Sequence, residues 1–272
     1  MSLDTASITP PAFRHPYRLV RPIRDSISAG SRNLIAYWRV PSLLVFSTIQ
    51  PIIFVLMFRY VFGGVVSVKL LPYPYVDFLM PGIFVQTTVF GAIGAAVGLA
   101  TDLQSGLLER FRSLPMSRIA VLGGRTLADL VRNVFVAALM VGIGYAVGFR
   151  IHVGVLALLA AMLIVLAFGY ALSWVFAFVG LMTGDPETAQ AAAFPVLAPL
   201  VFASSAFVPV STMPGWLQAF AAHQPVSVTV TAVRALVDGG PTATNVLEAL
   251  AWCVGILAVF GPLAVHRYRR AT

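Results

Sequence analysis

Residues Val153–Met182 read VGVLALLAAMLIVLAFGYALSWVFAFVGLM, a run without a single Asp, Glu, Lys or Arg. Roughly 20 apolar residues wound as a helix cross the hydrocarbon core of a bilayer, so a run of this length predicts a transmembrane helix. Working outward, the pattern repeats. Further apolar runs extend from about Leu43 to Phe62, Phe78 to Ala100, Asn133 to Phe149, Ala191 to Phe207 and Val246 to Val265. The turn Gly184-Asp185-Pro186-Glu187 separates the fourth run from the fifth. Composition agrees. Of 272 residues 59% are hydrophobic and 10% charged, and mean hydropathy is +0.89. A soluble domain covers its surface with about a quarter charged residues. The expected fold is therefore an all-α integral membrane protein with six transmembrane helices.

Charge sets the expected orientation. The tail before the first run holds six Arg, the 101–132 loop five and the C-terminus three, which is 14 of the 18 basic residues. Arg59, Lys69, Arg150 and Arg234 fall on the other side. The positive-inside bias predicts that both termini are cytoplasmic. Arginines in short stretches between apolar runs suit an inner-leaflet surface and leave no solvated basic face for nucleic acid. The first 40 residues lack the apolar core of a cleavable signal peptide. Three parts follow: a cytoplasmic tail over 1–40, a six-span domain over 41–266, and a basic C-terminus over 267–272. In the tail, Ile23–Trp38 reads as an amphipathic interfacial helix, with a solvated tail helix as the alternative.

Motifs for chemistry are sparse. His15, His152, His223 and His266 are scattered without metal-ligand spacing. No G-x-S-x-G elbow occurs. Acidic groups inside spans, the mark of proton relays, are essentially missing. The lone Cys253 cannot form an internal disulfide. A P-loop needs a Lys after its glycines, and the only lysine is Lys69 in an outer loop. Any ATP and Mg that energise this chain belong to a partner. The expectation is no enzyme, no metal and no cofactor on the chain.

Several polar features have two readings. Gln86, Thr87 and Thr88 in the second span either bond a neighbouring helix or line a wet path. Gly91, Gly94 and Gly98 read as a seat for close helix packing rather than for a ligand. Asp129 and Arg132 share a helix face as a structural pair. The stretch from Asp102 to Arg118 carries an apolar stripe of Leu107, Leu108, Phe111 and Leu114, with Glu109, Arg110 and Arg112 pointing elsewhere. Such a helix suits a partner's groove or a lipid surface.

Three blocks resemble a known family. The first is Ser31–Leu34, Pro41–Leu44 and Gln50–Phe58, closing with Phe62-Gly63-Gly64. The second is Asp77–Gly82, continuing to Glu109–Arg118. The third is Phe207–Leu217 with Gln224-Pro225-Val226 and Arg234-Ala235-Leu236. Their order and spread resemble the type 2 ABC-transporter permeases, in particular daunorubicin-resistance-type exporters of the bacterial cytoplasmic membrane. The resemblance implies a cytoplasmic coupling helix docked on an ABC ATPase subunit, carried by Gln104, Leu107, Leu108, Glu109, Arg110, Phe111, Arg112, Leu114 and Pro115. It implies a second permease chain, and a substrate path holding Phe54, Phe58, Gln86, Thr87, Phe90, Phe194, Pro195 and Phe202. It also implies an extracytoplasmic re-entrant segment within 208–245, capped by Pro209, Met213, Pro214 and Trp216. The implied cargo is an amphipathic drug-, antibiotic- or lipid-like molecule. A polysaccharide or teichoic-acid exporter with the same membrane fold, and an ATP-independent carrier, are the alternatives.

Overall fold

A computed structural model describes residues 41–62, 74–106 and 118–271, and every regular element among them is helical. Helix α1 is Pro41–Met57, continued by a π-helical turn over Phe58–Phe62. Helices α2 (Tyr75–Gly91) and α3 (Ile93–Gln104) form one apolar run interrupted at Ala92. Helix α4 is Arg118–Val147, α5 Val155–Thr183 and α6 Pro186–Phe202. A 3₁₀ turn at Val210–Thr212 leads to α7 (Gly215–His223), α8 (Pro225–Asp238) and α9 (Thr242–Ala271). The expected interfacial helix at Ile23–Trp38 lies outside the described residues, as does 107–117.

Four helical runs are long and apolar enough to cross a membrane: Tyr75–Gln104, Arg125–Val147, Val155–Thr183 and Thr242–Arg270. They correspond to the second, third, fourth and sixth expected spans. The first corresponds to a shorter apolar helix, Thr48–Val61. The fifth corresponds to α6, whose 17 residues extend about 26 Å at 1.5 Å per residue, just under a hydrocarbon core of about 30 Å. Its bounds also differ from the expected Ala191–Phe207, for a local reason. Asp185 caps the helix, its Oδ2 accepting the Thr188 backbone N–H at 2.8 Å and hydroxyl at 2.7 Å, and Pro186 occupies the first turn. The polar turn thus starts the helix it seemed to precede. The 101–132 loop is likewise shorter than expected, because α3 reaches Gln104 and α4 begins at Arg118.

Helix α5 is the hub. It packs against α2, α3, α4, α6, α8 and α9, which accounts for a sequence that is apolar on all faces. Small residues set the closest approaches. A Cβ at Gly180 would stand 2.3 Å from the Ala96 carbonyl oxygen of α3, and one at Gly82 only 2.1 Å from that of Ala206. Helices α5 and α3, and α2 with the chain after α6, meet backbone to backbone at these points. Gly184, at φ +68°, ends α5 in the left-handed conformation that glycine adopts without penalty. Exposed Leu156, Leu163, Leu247 and Val254 keep apolar faces on α5 and α9 outward, where lipid is the compatible solvent.

Candidate functional site

Helices α1, α2, α3 and α4 line a half-open cavity of about 150 Å³. Four of the residues implied as substrate path line it together: Phe54 from α1 and Gln86, Thr87 and Phe90 from α2. The structure adds Gln50, Arg132 and Asn133 to the wall. Gln86 and Asn133 are buried, at 2% and 5% exposure, yet Gln86 Oε1, Thr87 Oγ1 and Asn133 Nδ2 have no hydrogen-bond partner. Each of these atoms is itself shielded, and Asn133 Nδ2 lies toward Gly169 of α5, so they belong to the helix packing beside the cavity rather than to its open surface. Thr88 is bonded. Its hydroxyl donates to Phe84 O at 3.0 Å and its methyl lies at Gly169 of α5, so it serves helix contact. Gln86 and Thr87 thus line the cavity while Thr88 serves the helix contact.

Two of the remaining path residues, Phe58 and Phe202, gather around Phe207. Phe58 stacks on Phe207 at 4.4 Å between ring centroids, Phe54 lies 6.0 Å from Phe58, and Phe202 lies 5.9 Å from Phe207. Phe194 tilts toward Phe90 at 6.4 Å. Phe194, Pro195 and Phe202 are exposed on α6 and do not line the cavity. The outer-cap residues sit at the ends of short helices. Pro209 and Met213 flank the 3₁₀ turn, Pro214 precedes α7, and Trp216 is 77% exposed in its first turn. Of the coupling residues only Gln104, the last residue of α3, is described; Leu107–Pro115 lie outside the described residues.

The glycine series Gly91, Gly94 and Gly98 has a use that the sequence reading did not foresee. A Cβ on Gly98 would coincide with the Arg125 guanidinium, and one on Gly94 would stand 2.6 Å from Arg132 Nη1. Two arginines of α4, seven residues apart, lie in grooves left by missing side chains on α2 and α3. Arg125 pairs with Asp102 at 3.1 Å. Arg132 donates to Gly91 O at 2.5 Å, beside the interruption at Ala92, and to Asn133 Oδ1 at 3.3 Å. Asp129 stands 3.9 Å from Arg132, so the pair expected from the sequence forms. Helix packing is the right class of explanation, but side chains rather than backbones fill the grooves.

The 203–241 section is fastened by a third arginine. Arg234 of α8 donates to Phe78 O at 2.8 and 3.1 Å and to Ala206 O at 3.1 Å, with its guanidinium 3.5 Å from the Phe78 ring centroid. Gln224 Nε2 donates to Leu200 O at 2.7 Å, and the Ser227 hydroxyl accepts the Ser205 N–H at 3.0 Å. Beside this clamp, Asp238 faces His152 at 3.7 Å. Burial and the nearby Asp77 carboxylate push its pKa up to about 6, against the pull of His152 and Arg234. Sequence reasoning counted Arg234 as an outer-side charge and as part of the third family block, but gave it no role. It also passed over Glu248, which lies inside the expected sixth span and is exposed on α9.

Comparison with known proteins matches this architecture. The ABC-2 type transporter family model matches residues 27–237. The chain is 37% identical over 238 residues to the daunorubicin resistance ABC transporter permease protein DrrB1 of Streptomyces coeruleorubidus, covering 88% of this chain and 83% of that one. It is 30% identical over 244 residues to a Mycobacterium tuberculosis protein named "Probable doxorubicin resistance ABC transporter permease protein DrrC", covering 89% and 87%. A cavity between apolar helices, four membrane-length runs and this similarity over most of the chain lead to one conclusion: the protein is a multi-pass membrane protein of the ABC-2 type transporter family, similar to daunorubicin-resistance-type permeases.

Proposed function

We propose that this chain is the membrane-spanning permease subunit of an ATP-driven exporter in the bacterial cytoplasmic membrane. It carries amphipathic drug-, antibiotic- or lipid-like molecules outward. Hydrolysis takes place on a separate cytoplasmic ABC ATPase, and two permease chains, identical or different, complete the machine. Both termini face the cytoplasm, six helices span the bilayer, and the section from Val208 re-enters from the outer side. The observation that carries this reading is the cavity where Phe54, Gln86, Thr87 and Phe90 converge, joining aromatic walls to polar side chains as an amphipathic ligand requires. The relatives' names, and the absence from the sequence of any P-loop lysine, point the same way.

In the cycle, ATP binding closes the partner ATPases and shifts the coupling segment around Glu109–Arg112. Helices α3 and α4 flank that segment. Arg125 ties α4 to Asp102 of α3, and Arg132 ties α4 to Gly91 O at the end of α2. A displacement at the loop therefore reaches the cavity wall, because Arg132 belongs to both. The polysaccharide alternative calls for a continuous aromatic channel. The rings of Phe54, Phe58, Phe202 and Phe207 gather in one cluster rather than in a row along the described helices.

The test is ATPase and transport activity of the purified chain, alone and co-expressed with an ABC ATPase subunit. Silence alone, drug-stimulated hydrolysis in the complex, and loss of that stimulation in Arg112→Glu are expected. Substrate transport by the chain with no ATPase present would overturn the reading in favour of a secondary carrier.

A further inference from the structure

We propose that the groove between α7, α8 and the first turns of α9 binds the ammonium group of a membrane-dissolved cationic amphiphile, held between the Glu248 carboxylate and the Trp252 ring. Placing the groove in the outer leaflet rests on the topology proposed above; its chemistry does not.

Glu248 stands out by its surroundings. It is the only charged residue of α9 before Arg267. Leu247, Leu250, Trp252 and Val254 are exposed around it, so this stretch of α9 presents an apolar surface that suits lipid. Glu248 is itself exposed, and among the described residues it makes no hydrogen bond or ion pair. It stands 19 residues before Arg267, about 28 Å along the helix at 1.5 Å per residue. If Arg267 marks one face of a hydrocarbon core about 30 Å thick, the carboxylate lies at the edge of the other. An ionisable group placed there, with no partner for its charge in the protein, marks a place for an external one.

The groove supplies the rest. Glu248, Ala251 and Trp252 line it with Ala222 and His223 of α7 and Val228 of α8, around an open volume of about 460 Å³. Residues four apart share a helix face, with about 5–6 Å between their Cβ atoms, so one ammonium can meet both Glu248 and Trp252. The carboxylate attracts it by charge and the indole through its ring quadrupole. No Lys or Arg is among the described lining residues, so nothing fixed there offsets the charge of Glu248. His223 is turned to its own helix, its Nδ1 3.0 Å from Ala219 O. The same lack of a fixed cation decides between two sources of an ammonium. A zwitterionic lipid headgroup brings a phosphate, which would meet Glu248 with no arginine or lysine to hold it. A cationic amphiphile brings no such anion.

The experiment uses the full chain in phosphatidylcholine nanodiscs, titrated with dodecylammonium and dodecanamide, with uptake by empty discs subtracted. Dodecylammonium is expected to bind about tenfold tighter, the combined effect of an exposed ion pair and a cation–π contact. Glu248→Gln keeps the size of the side chain and should cut that preference to about threefold. Trp252→Leu should weaken dodecylammonium and leave dodecanamide unchanged. Because Glu248 is exposed and unbonded, Glu248→Gln should melt within about 2 °C of wild type, which separates lost binding from lost fold. Replacing part of the phosphatidylcholine with phosphatidylethanolamine should leave the preference intact; its disappearance would assign the groove to a lipid headgroup and overturn the proposal. Equal binding of the two ligands, or a preference untouched by Glu248→Gln, would overturn it as well. The exporter reading fails separately. Ammonium preference without ATP-driven transport by the ATPase complex sinks the exporter and keeps the site, whereas transport without the preference does the reverse.

Discussion

Consider a single methyl group added at Gly180 on the hub helix, and the same methyl added at Gly98. At Gly180 the new Cβ would lie 2.3 Å from the Ala96 carbonyl oxygen and 3.0 Å from its Cα, all backbone of α3. Ordinary contact begins near 3.4 Å, so α3 and α5 must part by about 1.1 Å along a seam that includes buried Ala96, Ala177 and Leu181. Overpacking of this kind costs about 1–3 kcal/mol or more. The gain in helix propensity on replacing glycine with alanine returns about 1 kcal/mol, leaving a net loss on the order of 1–2 kcal/mol. At Gly98 the clash is nominally worse, 1.3 Å from Arg125 Nη2, but the obstacle is the far end of a flexible side chain. Arg125 swings away at the cost of its Asp102 pair. The partners keep 19% and 16% of their side-chain surface exposed, so that loss is about 1 kcal/mol. The propensity gain roughly cancels it. The numerically closer contact should therefore be the cheaper one to violate.

The assay is thermal unfolding of both variants in nanodiscs at one scan rate. Gly180→Ala should melt roughly 2–5 °C below wild type, with Gly98→Ala within about 2 °C of it. In the complex with the ATPase, Gly98→Ala should nonetheless lower transport per ATP hydrolysed, because α3 and α4 lose the Arg125–Asp102 tie. If Gly98→Ala is the less stable of the two, the distinction drawn between backbone and side-chain obstacles is wrong.

Further outcomes follow from other contacts. Arg234→Lys should destabilise the 203–241 section, because an ammonium cannot span the Phe78 and Ala206 carbonyls while lying flat on the Phe78 ring; limited proteolysis at 203–215 should quicken relative to wild type. Asp238 has a folded pKa of about 6 against an ordinary 3.8, so the folded state holds the extra proton between those values. Its contribution to stability is greatest below 3.8 and falls as pH rises to about 6. Asp238→Asn should remove that decline and raise the melting temperature measured above pH 6. Asp185→Ala should lower stability by removing the cap on α6, and the deficit should vanish as acid protonates Asp185 in the wild type, whose pKa the Thr188 N–H and hydroxyl hold below 3.8.

Much of this protein was legible because lipid imposes simple rules on a chain. The apolar runs at Val153–Met182 and Val246–Val265 reappear as α5 and α9, since a backbone out of water must close its own hydrogen bonds. The pairing of Asp129 with Arg132 followed from helical spacing alone. The bounds of α6 did not, since reading Gly184-Asp185-Pro186-Glu187 as a turn hid that Asp185 and Pro186 are also a helix start. Four path residues came from family likeness, and the cavity brings them together. Phe194, Pro195 and Phe202 came from the same likeness and lie elsewhere.

The sequence by itself determined the class of solvent, the rough place of the long apolar runs, and the lack of a nucleotide-binding lysine, because these depend on composition and local periodicity. Only the tertiary structure decided what the polar exceptions are for. Arg125, Arg132 and Arg234 reach partners 23, 41 and 156 residues away, and nothing local to each arginine names Asp102, Gly91 or Phe78. Gly91, Gly94 and Gly98 look alike on one helix face whether a backbone or a guanidinium fills the groove. Which it is depends on the rotation of α4 against α2 and α3, and that rotation is set by packing around α5 rather than by any one segment.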